Sequence, residues 1–206
     1  YTKRENILFC GYHGWHDWYL SANHKSKKNL DFQLLPGLKP LGVPKGLSGT
    51  VLPFRYNNDS DYRNIIKRNI KKAAAIVIEP CREGFPNKRY LSKLKSLAKK
   101  NNTVLIFDEI TSGWRLNSGG SHMVVNVTPD IVIYGKTIAN GIPMGAIIGR
   151  KKIMQVAQET FISSTMWTDR LGFIAANTTL KKLKQLKINK KISNYGRIIK
   201  KGWIEI

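Results

Sequence analysis

A chain of 206 residues, 42% of them apolar, is long enough to enclose one sizeable core, and with 2 cysteines it is neither a disulfide-stapled scaffold nor a polar disordered tail. Lys and Arg outnumber Asp and Glu 35 to 13, a net charge of +22, so polyanion binding has to be weighed. No apolar stretch approaches the roughly 18 residues that a membrane span needs.

In chain order, Asn6 to Cys10 reads as a short strand. Tyr12 to about Ser60 is a long connection punctuated by Pro36, Pro40 and Pro44, and a connection of that length tends to be functional. Asp61 to Lys72 looks helical, Ala74 to Glu79 is a strand, and Lys88 to Lys100 is a helix with Leu91, Leu94 and Leu97 on one side. Val104 to Asp108, Ile131 to Tyr134 and Ala146 to Gly149 are strands, and after Lys151 the chain is largely helical, broken at Phe161 to Trp167. Strands alternating with helices make an α/β fold with a mostly parallel sheet.

The basic residues cluster at Lys67 to Lys72, Lys93 to Lys100, Lys181 to Lys191 and Arg197 to Lys201. Most of these fall on segments with helical apolar spacing, so they read as solvated helix faces; no nucleic-acid reader motif accompanies them. Cys10 and Cys81 sit in or beside apolar strands, which suits buried thiols in a reducing compartment. His13 and His16 form an H-x-x-H, yet convergent ligands and supporting partners are not legible around them, so no metal is expected.

Two strand ends carry the chemistry. Asp108 closes the run Val104-Leu105-Ile106-Phe107, and Lys136 follows the run Ile131 to Tyr134. Ligand chemistry in open α/β sheets gathers where strands end, so the acid and the amine are candidates for one pocket. The lysine can pair with the acid, as a structural ion pair, or form an imine with a carbonyl compound once deprotonated.

The motifs around them are similar to those of the class III aminotransferases, pyridoxal-phosphate enzymes of fold type I. Asp108-Glu109-Ile110-Thr111-Ser112-Gly113-Trp114-Arg115 resembles the family's DE-hydrophobic-x-x-G-aromatic-R segment. Thr128-Pro129-Asp130, Gly135-Lys136 and Gly141-Ile142-Pro143-Met144-Gly145 resemble its TPD, GK and G-x-P-x-G segments. Several motifs in the right order make this specific, where a lone GK would carry nothing.

The resemblance implies that Lys136 holds pyridoxal 5'-phosphate as an internal aldimine and that Asp108 binds the pyridine nitrogen. It implies that Tyr12, in Gly11-Tyr12-His13-Gly14, stacks on the ring, that His13 shapes the turn, and that Ile110 packs beneath the ring. Glu79, in the matching Glu-Pro, orders the pocket or serves structure alone. Glu109 anchors neighbouring backbone. Thr165 is the position that reaches the phosphate of the partner subunit's cofactor, with a helix N-cap as the plain alternative. Glu83 lies near the place where some relatives carry a switch glutamate, but the offset does not align and the role is not transferred.

The implied fold is a fold-type-I large domain lacking its N-terminal part and most of the small C-terminal domain. Residues 1–180 would be the partial cofactor-binding domain, and 181–206 the helical start of the small one. The chain opens at Tyr1 and stops at Ile206 in what reads as mid-element, so a fragment is expected. The implied function is amino-group transfer between small amine and carbonyl substrates, by a cytoplasmic homodimer in its complete form. The glutamate-1-semialdehyde aminomutase-like branch is the one most resembled. Thr165-Met166-Trp167-Thr168-Asp169-Arg170 departs from that branch's T-x-S-G-N-P, which favours another amine or a sugar-derived ketone. An inactive fragment or a basic binding module is the alternative of another class.

Overall fold

The computed structural model describes residues 1–82 and 84–205, so Glu83 lies outside the described residues. The chain packs as two compact units: Tyr1–Asp108 with Pro129–Ile131, and Glu109–Thr128 with the chain from Val132 onward.

The first unit is built on four parallel strands, β1 (Asn6–Cys10), β2 (Val51–Pro53), β3 (Ala73–Ile78) and β4 (Val104–Asp108), in the spatial order β2-β1-β3-β4. The middle strands are apolar runs because both faces are covered: Leu8, Phe9, Ile76, Ile78 and Phe107 have no exposed surface. β2 was not expected within the long connection. It is three residues long and ends in Pro53, which removes a ladder donor and suits a place at the end of the order. The remainder of that connection is also more ordered than expected. Short helical turns at Asp17–Leu20, Ser21–His24 and Lys45–Leu47 fold it back, and Tyr19, Ala22, Leu30 and Val51 join Phe9 and Val77 in one core cluster.

The helix expected over Asp61 to Lys72 begins earlier and is irregular. It opens as Asp59–Asp61, capped by the Asn58 side chain accepting from the Asp61 amide at 2.9 Å, widens over Tyr62–Ile66 and closes as Lys67–Asn69. The Lys88–Lys100 helix has the expected bounds. Asn87 caps it by accepting from the Tyr90 amide at 3.0 Å, and Tyr90, Leu91, Leu94 and Ala98 form its buried stripe. The lysines lie on its other face.

The second unit holds β5 (Ile131–Tyr134, its first residue belonging to the first unit) and its neighbour β6 (Ala146–Gly149). Its core gathers Val132, Tyr134, Ile138, Ala139 and Ala176, with Trp114 and Met144 packed against them. The helix Arg170–Gln185 contributes Ala176, and Ile188–Ile204 follows after Lys187 turns the chain at φ 49°. No described helix is long and apolar enough to cross a membrane. Neither cysteine is in a disulfide.

Candidate active site

Strand register decides what the first unit presents. Cys10 pairs with Ile78 and Ile78 with Phe107, so three neighbouring parallel strands end in one row. Gly11 and Glu79, which follow β1 and β3, and Asp108, the last residue of β4, lie at the same edge, the carboxyl end where α/β sheets place ligands. Sequence spacing alone could not align them, because the three strands are far apart in the chain.

At that edge the first unit's expected residues meet. His13 Nδ1 donates to Asp108 Oδ2 at 2.8 Å, and His13 Nε2 lies 3.2 Å from the Cys10 carbonyl. These two contacts, with Trp18 stacked 6.2 Å away and Phe9 edge-on at 5.9 Å, set the ring's orientation. Asp108 is 6% exposed, so its carboxylate is held by a partner at a nearly dry strand end. His13 therefore does more than shape a turn.

Glu79 fastens the other side of the row. Its Oε2 accepts from the Tyr12 amide at 2.8 Å and from Arg82 Nη1 at 2.8 Å. The turn that carries Tyr12 depends on Gly11, whose φ is +114° and whose missing Cβ would lie 2.5 Å from Glu79 Oε2. The Gly11 amide donates to Gln33 Oε1 at 2.7 Å, and Gln33 Nε2 donates to the Phe54 carbonyl at 3.2 Å. Tyr12 is half-buried, with Trp15 tilted against it at 4.7 Å and Tyr19 edge-on at 5.7 Å. Its ring thus sits in an aromatic wall, as a stacking residue would need.

In the second unit, Lys136 follows an extended Gly135 and adopts a left-handed backbone at φ 43°, which a non-glycine residue holds only when its surroundings demand it. Those surroundings are the segment Glu109 to Trp114. Ile110 packs so close to Gly135 that an added Cβ would sit 3.3 Å from it, so any larger residue before the lysine requires the Ile110 side chain to shift. Trp114 lies tilted against Tyr134 with ring centroids 4.4 Å apart, and a Cβ on Gly113 would meet Tyr134 at 2.8 Å. Lys136 Nζ donates to Thr111 Oγ1 at 2.7 Å.

Glu109 pins that segment. It is fully buried, and its carboxylate accepts from Ser112 Oγ at 2.9 Å, from the amides of Ser121 and His122, and from His122 Nδ1 at 2.8 Å. Burial pushes its carboxyl up, but the hydrogen bonds from His122 and Ser121 outweigh this and hold it below the ordinary carboxylate value. Tyr134, buried and near that charge, is pushed up to about 12.

Thr165 is exposed in the turn ahead of the helix Arg170–Gln185. It is not that helix's cap. Asp169 is, accepting from the Leu171 amide at 2.8 Å. The described residues hold no cluster of three metal-ligating side chains, and His16 Nε2 lies 2.7 Å from the His13 carbonyl. Sequence reasoning missed Gln33, Arg82, Thr111 and His122, whose partners lie 3 to 25 residues away with no pattern to announce them.

In the first unit, a buried carboxylate oriented by an imidazole stands at the same strand edge as a half-buried aromatic, which suits an aromatic cofactor with a ring nitrogen. The second unit carries a primary amine on a strained turn, which suits an aldehyde. Comparison with known proteins points the same way. The chain is 33% identical over 96% of its length to a 3-aminobutyryl-CoA aminotransferase from Cloacimonas acidaminovorans (strain Evry), of which it covers 45%. It is 31% identical over its full length to a glutamate-1-semialdehyde 2,1-aminomutase from Sulfurihydrogenibium sp. (strain YO3AOP1), covering 49% of that protein. It is 28% identical to a 2'-deamino-2'-hydroxyneamine transaminase from Streptomyces kanamyceticus, again over its full length and 48% of the relative. The chain thus spans under half the length of these relatives. Among solved structures, an omega-transaminase from Sphaerobacter thermophilus superposes with a TM-score of 0.74 at 27% identity, over 89% of this chain and 44% of that one. A transaminase with PLP bound shares the fold at a TM-score of 0.75 and 24% identity, over 88% of this chain and 44% of that one. The class-III aminotransferase profile matches residues 1–206, and the chain belongs to that family of pyridoxal-phosphate enzymes.

Proposed function

We propose that the complete protein transfers an amino group between a small amine and a carbonyl compound, with this chain supplying the cofactor-binding segment. The row of strand ends that brings His13, Asp108 and Glu79 to one edge carries the reading. Pyridoxal phosphate, when bound, supplies an aldehyde that exchanges amino groups and a ring that draws off electrons.

The chain's own residues do the rest. Asp108, fixed by His13, presents negative charge to the ring nitrogen and keeps a proton there, because an opposite charge nearby favours the charged form. Tyr12 offers its face to the ring and restrains its tilt. Glu79 holds the backbone of that aromatic in place and pairs with Arg82, so its role is to order the site. Ile110 offers an apolar contact beneath the ring. Lys136 is the covalent anchor, and its amine, once released, moves the proton at the substrate carbon. Thr165 serves the phosphate of a partner subunit's cofactor in a homodimer, and residues 181–206 begin a small C-terminal domain.

For the substrate, the aminomutase-like branch is supported by the segments Gly11 to Trp18 and Asp108 to Lys136 and by the 31% likeness to a glutamate-1-semialdehyde 2,1-aminomutase. A different amine or ketone is supported by the departure at Trp167 to Arg170 and by comparable identity to aminotransferases with other named substrates. Assaying the complete protein with glutamate semialdehyde, and separately with amine and ketone pairs, distinguishes the two. Lys136→Ala in that protein should abolish turnover by either route. Turnover within tenfold of the wild type would remove Lys136 from the chemistry.

A further inference from the structure

Lys136 is exposed, and a lysine side chain has many rotamers to lose when fixed, so an unheld amine would wander. It is held instead by a hydroxyl on a rigid turn. Thr111 Oγ1 accepts from Lys136 Nζ at 2.7 Å. The turn that carries Thr111 is tied at several points: the Glu109 amide donates to the Ile133 carbonyl at 2.8 Å, the Gly113 amide to the Glu109 carbonyl at 2.8 Å, and Ser112 Oγ to the buried Glu109 carboxylate at 2.9 Å. Thr111 is itself exposed, so its hydroxyl adds nothing to a core. A threonine there has no packing duty that a valine could not perform.

We propose that Thr111 is a positioning residue for Lys136, holding Nζ in one orientation whenever the lysine is a free amine. This rests on the reading of Lys136 as the covalent anchor. By accepting one N–H, the hydroxyl limits where the amine's lone pair can point, which shortens the search for an incoming aldehyde carbon and for the proton it later moves. When the amine attacks that carbon, the nitrogen gives up its protons, the carbonyl oxygen leaves as water, and the bond to Thr111 is released. When the lysine is set free again, the same hydroxyl receives it.

The test uses the complete protein stripped of cofactor and mixed with pyridoxal 5'-phosphate. Samples are quenched with borohydride at intervals, and reduced label on the Lys136 peptide is counted by mass spectrometry. Losing one hydrogen bond of ordinary net worth corresponds to a rate change of about three- to tenfold. Thr111→Val should therefore label Lys136 about three- to tenfold more slowly, and lower kcat by a similar factor with KM for the amine little moved. Thr111→Ser, which keeps the hydroxyl, should recover most of the lost rate. Labelling of the valine variant at the wild-type rate overturns the positioning role while leaving the anchor role intact. Absence of label on Lys136 in the wild type removes the anchor role, and this proposal with it.

Discussion

Replacing Glu109 by Gln tests whether the segment between the two functional strands is pinned by one buried charge. Glu109 has no exposed surface, and its two oxygens accept from four donors: Ser112 Oγ and the Ser121 amide on one, the His122 amide and His122 Nδ1 on the other. A glutamine keeps the shape but turns one of those oxygens into an NH2, which sets a donor against two donors. The Ser112 hydroxyl can rotate away, but a backbone amide cannot. Each buried group left unpaired costs about 1–3 kcal/mol, so the variant should lose about 2–4 kcal/mol. Urea unfolding of the complete protein, followed by tryptophan fluorescence, should show a lower midpoint with an unchanged slope.

The same variant has a pH signature. The Glu109 carboxyl is held below its ordinary value in the folded state, so its stabilisation is fully present above the unfolded value of about 4.3. That stabilisation is lost as pH falls through the lower folded value. The gap between wild type and Glu109→Gln should hold at about pH 7 and close at acid pH, below the unfolded value. A loss under about 1 kcal/mol at pH 7, or a gap that does not narrow in acid, would refute the idea that this carboxylate pins the segment.

Two other perturbations bear on the first unit. Gly11→Ala forces a Cβ to within 2.5 Å of Glu79 Oε2 at a backbone φ of +114°, so it should cost about 2–3 kcal/mol in the same unfolding assay; a loss below about 0.5 kcal/mol would mean Glu79 moves aside freely. Asp108→Asn keeps the size of the side chain and removes its charge, so the complete protein should still take up pyridoxal phosphate, read by absorbance, while kcat falls about a hundredfold or more. Wild-type turnover in that variant would show that the ring nitrogen needs no carboxylate.

Much of the first unit was legible because its strands are buried on both faces. Such strands write their bounds as unbroken apolar runs, and Asn6–Cys10 and Val104–Asp108 appear where those runs stand. The helix Lys88–Lys100 was legible for a related reason, since its leucine spacing and its asparagine cap are local signals. β2 was not, because a three-residue edge strand ending in proline has too little periodicity to separate from a loop. The irregular helix from Asp59 to Asn69 was misplaced in its bounds, because its widened turn over Tyr62–Ile66 breaks the 3.6-residue spacing that a sequence reading counts on.

By itself the sequence determined which residue types stand at the strand ends: an acid at Asp108, an amine at Lys136 and an aromatic at Tyr12, in an order that matched one family. It could do so because strand ends and glycine turns are local features. Only the tertiary structure decided what holds those groups. Register between strands distant in the chain set Gly11, Glu79 and Asp108 along one edge, and folding back brought His13 to Asp108, Arg82 to Glu79, His122 to Glu109 and Thr111 to Lys136. A hydrogen bond is satisfied by position in space, and residue spacing along the chain carries no record of it.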